Sequence, residues 1–214
     1  LYKANRKKAR EENKQNIDWK ALFGVIDDIR SELEEYMPYR VVTMDGCEAD
    51  DIIGVICKNY NTDPILIVSS DKDFIQLQKY KNISQWSPLT KKFLNNPKPE
   101  EQLRALIVKG DRSDGVPNIL SNDNCLVEGL RQKPLSKKKI EKWLSGNPEE
   151  LFEGELLRNY KRNETLIDLA CIPDSIQINI QTRYESDQYT GRDKMLNYFI
   201  KYRLKELTES IQEF

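Results

Sequence analysis

Histidine is absent from all 214 residues. Its absence removes Ser-His-Asp and Cys-His nucleophilic machinery and histidine-ligated zinc, so any catalysis has to be built from carboxylates, lysines and hard cations. Cysteine is scarce. Cys47, Cys57, Cys125 and Cys171 form no C-x-x-C pair and stand in apolar surroundings, the pattern of reduced thiols in a cytoplasmic protein rather than of a disulfide framework. No apolar run approaches the roughly 18 residues that a bilayer-spanning helix needs, and no membrane partner is expected. Neither sign of charge dominates, with 34 Lys and Arg against 35 Asp and Glu. Electrostatic function must therefore come from where the charges sit. What the chain does have is 38% hydrophobic residues, enough for a real core.

Periodicity divides the chain in two. Asp18 precedes a stripe of Leu22, Val25, Ile26, Ile29, Leu33 and Tyr36 at helical spacing, ended by Pro38. "YRVVTM" (residues 39–44) reads as a strand, "EADDIIGVICKNY" (48–60) as a helix with an acidic first turn, and "ILIVS" (65–69) as a strand apolar on both faces. Strand, helix, strand at this spacing predicts a βαβ unit with a buried parallel sheet. A short helix at 74–78, a third strand at 83–87 on the edge of the sheet, and a Pro-led helix stopped by Gly110 complete this part. Beyond it every periodic segment is helical. The expected fold is thus α/β, a mostly parallel sheet flanked by helices over residues 1–110, followed by an all-helical region over 111–214.

Three acidic groups stand out: Glu48, Asp50 and Asp51; Asp71 and Asp73; Asp111 and Asp114. The first two follow strands directly, and ligands of open parallel sheets bind beyond the carboxyl ends of strands. Carboxylates gathered at one edge repel unless protonated or neutralised, and without histidine the natural neutraliser is a hard divalent cation such as Mg²⁺. Two such ions about 3.5–4 Å apart can activate water and stabilise the leaving oxygen of a phosphodiester. Each group has a plainer meaning too. Acids in a helix's first turn complement the dipole, and "GDRSDG" is ordinary turn chemistry. Only the three together, in this order, favour a site.

These residues resemble a known family. "EADDIIG", "SSDKDFIQL" and "KGDRSDGVPN" look like the three acidic motifs of the 5′ nucleases (flap endonucleases and 5′ to 3′ exonucleases). "YMPY", "QWSP" and "SIQEF" place the closest resemblance in the branch of T-even bacteriophage ribonucleases H. The resemblance implies that Asp50 and Asp71 hold one Mg²⁺, with Mn²⁺ as a substitute, and that Asp73 and Asp114 line a second site. Glu48, Asp51 and Asp111 would act directly or through water. It implies cleavage of flaps, 5′ to 3′ degradation of duplex DNA and removal of RNA primers from RNA-DNA hybrids in phage replication. A sliding clamp and a single-strand DNA-binding protein would be partners, and the host cytoplasm the location. The chain opens on Leu1 inside a charged run and is expected to be a fragment or a chain with a lost beginning. In the family, a strand ending in aspartate and a further metal-binding aspartate would lie upstream of Leu1. A Gly-x-Gly hairpin usual after the third motif is not present in "GVPNILSNDNCLVEGLRQ".

"YKANRKKAR" carries Lys3, Arg6, Lys7, Lys8 and Arg10. By resemblance, residues 1–16 are a remnant of the basic arch that passes a 5′ single strand, with Lys3 and Arg6 meeting phosphate and Lys3 joining the catalytic acids. The plain alternative is a solvated terminus. Lys137, Lys138 and Lys139 could grip duplex backbone without reading bases. Trp19 and Trp86 are better explained by packing than by base stacking. Two rival readings remain. A haloacid-dehalogenase-type phosphatase would use Asp71 as nucleophile, but it leaves "EADD" unexplained. A catalytically incomplete remnant that binds DNA or replisome proteins, or half of a split nuclease, is the other.

Overall fold

Asp18 caps the helix Trp19–Tyr36 of the computed structural model, its carboxylate accepting the Ala21 N–H at 3.0 Å. The structure describes residues 2–4, 17–60, 62–186 and 192–214. Helix α1 (Trp19–Tyr36) is followed by α2 (Ala49–Asn59), strand β1 (Ile65–Val68), a 3₁₀ segment (Asp73–Lys79), β2 (Ile83–Ser87), β3 (Lys92–Phe93) and α3 (Pro99–Lys109). Then come α4 (Lys137–Trp143), α5 (Pro148–Leu151), α6 (Gly154–Ile167), α7 (Asp174–Ser186), α8 (Met195–Lys201) and α9 (Lys205–Glu209). The chain forms two compact units, Leu1–Asn13 with Glu48–Gln177 and Lys14–Cys47 with Ile178–Phe214.

In the first unit β1 pairs parallel to β2 from Ile65–Ile83 to Val68–Trp86, and β3 adds antiparallel to β2. Alternation sends Ile67 and Ile83 inward, where they pack with Cys57, Phe74 and Leu77. A second cluster joins α3 to the later helices through Ile107, Val108, Ile119, Phe152 and Tyr160. Trp143 meets Phe152 edge-on at 5.3 Å, and Phe152 stacks on Tyr160 at 5.1 Å. The buried Asn163 donates its amide to the carbonyls of Ile107 (2.7 Å) and Pro117 (2.8 Å), fastening α6 to both α3 and the turn that follows it. The second unit packs around Met37, Met195 and Phe199.

Several expectations are corrected. Residues 39–44 form no ladder. β-branched composition favours extended backbone, yet a strand exists only where a neighbour takes its N–H and C=O groups. The predicted βαβ unit therefore lacks its first strand. β2 is the central strand of the order β1-β2-β3, not an edge. β1 is the edge instead, and Leu66 and Val68, expected to be buried, are 52% and 61% exposed. The stripe of α1 is exposed as well, with no residue of that helix buried. Within the first unit, α6 and its neighbours complete the core over α3. The unforeseen α7 occupies a stretch whose apolar spacing is too weak to announce a helix.

Candidate metal and nucleic-acid site

Each acidic group is held by local hydrogen bonding that its sequence context dictates. At the end of β1, the Ser69 hydroxyl accepts the Asp71 N–H at 3.1 Å, and Asp71 Oδ1 accepts the Asp73 N–H at 3.0 Å. This Asx-type turn carries the chain from strand into the 3₁₀ segment. Beneath it, the fully buried Gln85 on β2 donates its amide to the carbonyls of Ser69 (2.9 Å) and Asp71 (2.6 Å). The Ser70 and Ser87 hydroxyls share a hydrogen bond of 2.8 Å. Asp51 turns back to accept the Glu48 N–H at 2.8 Å, capping α2. Its plain structural role is thus real.

The third group hangs on Gly110, whose φ of 69° suits glycine. A Cβ there would meet the Val116 carbonyl oxygen at 2.4 Å, so no other residue lets the backbone fold so tightly. Asp111 Oδ1 then accepts from both the N–H and the hydroxyl of Ser113 at 2.7 Å, and the Val116 N–H closes on the Asp111 carbonyl at 2.7 Å.

All seven acids line one or other of two adjoining cavities. One cavity is lined by Glu48, Asp50, Asp51, Asp73, Asp111 and Asp114, with Tyr2 among its other walls. A second is lined by Lys3, Asp50, Asp71, Asp73, Asp111 and Asp114, so the two share four aspartates. Lys3 pairs with Glu48 and stands 3.8 Å from Asp114, while its backbone N–H donates to the Asp114 carbonyl at 2.7 Å. Desolvation and then the charges of Asp71, Asp111, Asp114 and Asp50 push the Asp73 carboxyl up to about 6. Asp50 is raised by desolvation, then by Asp71 and Glu48. Burial pulls the Lys3 ammonium down, but its bonds to Glu48 and Tyr2 and the charge of Asp114 raise it on balance.

Among the described residues no three acids or thiols are drawn together closely enough to cage a metal as placed. The donor chemistry nevertheless suits a hard cation: all-oxygen, strongly anionic, and with the Asp73 carboxyl raised by desolvation and then by its neighbours' charge. Such crowding is what a divalent ion relieves.

Sequence reasoning passed over Tyr2. Its hydroxyl donates to Glu48 Oε2 (3.4 Å) and Asp114 Oδ2 (3.3 Å), and desolvation, then the nearby acids, push it up to about 12 despite Lys3. The signal was its place beside Lys3 in a basic run. Lys137, Lys138 and Lys139 are exposed on α4 and line neither acidic cavity. Arg6, Lys7, Lys8 and Arg10 lie outside the described residues. Trp86 is half-buried, and Trp143 belongs to the second core cluster.

A small mixed sheet with acids from three separate segments gathered beyond the carboxyl end of its edge strand is what the α/β core of the 5′ to 3′ exonuclease class calls for. Residues 1–104 match the family described as 5′-3′ exonuclease, N-terminal resolvase-like domain, and residues 98–214 match T4 RNase H, C terminal. The chain is 40% identical to ribonuclease H of Enterobacteria phage T4 along its whole length, spanning 72% of that protein. It is 32% identical to a 5′-3′ exonuclease of Buchnera aphidicola over 55% of the chain and 41% of that protein. The chain belongs to the 5′ nuclease family, in the branch of T4 ribonuclease H. Its fold is similar to that of the T5 5′-exonuclease solved with zinc ions (TM-score 0.58, 16% identity, 87% of this chain and 76% of that one). It is equally similar to the bacteriophage T5 flap endonuclease solved with DNA and metal ions (TM-score 0.57, 18% identity, 86% and 77%). Among the described residues, no helix is long and apolar enough to cross a membrane.

Proposed function

We propose that this chain forms the metal-binding and substrate-gripping part of a Mg²⁺-dependent 5′ nuclease acting on flaps, duplex DNA and RNA-DNA hybrids. The observation that carries the proposal is the convergence of Glu48, Asp50, Asp71, Asp73, Asp111 and Asp114 on two cavities that share walls, with Lys3 beside them. Asp50, Asp71, Asp73 and Asp114 would hold the cation, and Mn²⁺ could replace Mg²⁺. The ion supplies neutralisation of phosphate charge and activation of water.

The chain's own residues do the rest. Lys3 presents an ammonium to an incoming phosphate oxygen and gives up its pairing with Glu48 as it does so. Tyr2 holds Glu48 and Asp114 on one side of the opening. Gln85 and Ser69 fix the Asp71 backbone, and the Asp73 N–H holds its carboxylate. Hydrolysis adds water across a phosphodiester, breaking one P–O bond and leaving a phosphate on one fragment and a hydroxyl on the other. Lys137, Lys138 and Lys139 are assigned to duplex backbone, Arg6, Lys7, Lys8 and Arg10 to the 5′ strand, and residues 111–214 to DNA binding as a whole. A sliding clamp and a single-strand DNA-binding protein as partners, and the host cytoplasm as location, rest on the resemblance alone.

The test is cleavage of a 5′-flap DNA with Mg²⁺ by the wild-type chain and by Asp71→Asn and Asp73→Asn. Each variant is expected to lose at least about a hundredfold in rate while staying folded. Equal cleavage by all three would refute the assignment, and turnover of para-nitrophenyl phosphate without flap cleavage would favour the phosphatase reading. Flap binding without cleavage by the wild type would favour the remnant.

A further inference from the structure

The second compact unit holds a polar cavity that the acidic site does not use. It has a volume of about 520 Å³ and is lined by Pro38, Arg40, Tyr184, Arg192 and Phe214. The Arg40 guanidinium lies over the Tyr184 ring, 4.4 Å from its centroid. That stack orients the guanidinium as a plane, with its outer face and N–H edges open. Both arginines are exposed, and among the described residues neither forms an ion pair with a carboxylate. The wall is completed by Phe214, which is anchored from behind by Phe199 at 5.5 Å and flanked by Tyr39 at 6.4 Å. Among the described residues, no acidic side chain lines the cavity.

Two exposed arginines beside the Tyr184 and Phe214 rings make a site for something that is both flat and anionic. An acidic peptide would use the arginines but not the rings, whereas a nucleic-acid strand uses both, its phosphates on the guanidinium edges and its bases on the ring faces. Stacking of this kind is independent of sequence, since every base has a ring face. We propose that this cavity is a second, non-catalytic subsite for one or two nucleotides of single-stranded nucleic acid. The inference rests on the nucleic-acid substrate class proposed above, but its residues share no wall with the acidic site.

The whole chain is mixed with a fluorescent oligothymidine in EDTA, which prevents cleavage, and binding is followed by anisotropy. Arg40→Gln combined with Arg192→Gln is expected to weaken binding by about tenfold and to flatten its salt dependence. Tyr184→Leu, whose circular dichroism and melting report on folding, is expected to weaken it by about fivefold. Oligothymidine affinity is expected to fall further than duplex affinity, because a duplex does not present unstacked bases to the rings. Oligothymidine affinity unchanged in the double variant overturns the subsite. So does displacement of nothing but an aspartate-rich peptide, which would make the cavity a peptide site. If flap cleavage fails in the wild type while the arginine dependence of oligothymidine binding persists, the nuclease reading falls and the subsite stands.

Discussion

Asp73 and Asp123 carry the same side chain in the same compact unit and have opposite environments. Asp123 is clamped by Arg158 and Arg162; burial works to raise its carboxyl, but their hydrogen bonds prevail and hold it below the usual range. Arg162 in turn donates to the Pro117 carbonyl at 3.1 Å, so this cluster braces the turn that follows α3. Asp73 faces Asp71, Asp111, Asp114 and Asp50, and is pushed up to about 6. One aspartate has its counter-charge built in and serves the fold. The other is surrounded by like charge, an arrangement that costs stability in the free protein and makes sense when a cation is to be received.

The contrast can be broken at either end. Asp123→Ala leaves two arginines without their partner and is expected to cost about 1–2 kcal/mol, allowing for solvent screening of a partly exposed cluster. Urea unfolding would measure it. The wild-type contribution has a definite pH sense: the folded carboxyl is depressed, so the stabilisation is present above the unfolded value of 3.8 and fades as pH falls through the lower folded value. The variant's deficit should accordingly shrink in acid, and a deficit that grows there would contradict the clamp.

Asp73→Asn runs the other way. The folded carboxyl is raised, so in EDTA the native state binds the extra proton between about 4 and 6 and loses relative stability as pH rises through that window. Removing the charge should stabilise the metal-free protein by on the order of 1 kcal/mol at pH 7, again after discounting for solvent, and by nothing at pH 3.5. Melting temperatures at the two pH values decide it. The smallest effect is expected at Tyr2→Phe, which loses two long hydrogen bonds at an exposed rim. Flap cleavage should fall only about two- to fivefold, with folding unaltered. A loss as large as that of Asp73→Asn would place the Tyr2 hydroxyl in the chemistry itself.

The same contrast explains what the sequence could reveal. Three acidic motifs, each following an element that ends at a definite place, predict convergence, and that is what Asp50, Asp71 and Asp114 do. Turn chemistry was equally readable: Gly110 ends its helix because only glycine allows the backbone to approach Val116 so closely. Pairing was not. Residues 39–44 have strand composition, but a ladder is a property of two segments, and composition describes one. Leu66 and Val68 looked buried for the same reason, since burial of an edge strand depends on what lies beside it. The supporting residues Gln85 and Ser70 were invisible because a buried glutamine announces itself only through the carbonyls it reaches. Tyr2 was hidden among charges that drew attention to themselves as a patch.

The most direct test of shared cation binding is calorimetric titration of the metal-free chain with Mg²⁺ and Mn²⁺, with the Asp71→Asn and Asp123→Ala variants alongside. Saturable binding that also raises the melting temperature, is lost in Asp71→Asn and survives in Asp123→Ala is the predicted result. Binding that is absent from the wild type, or indifferent to Asp71, would contradict the account.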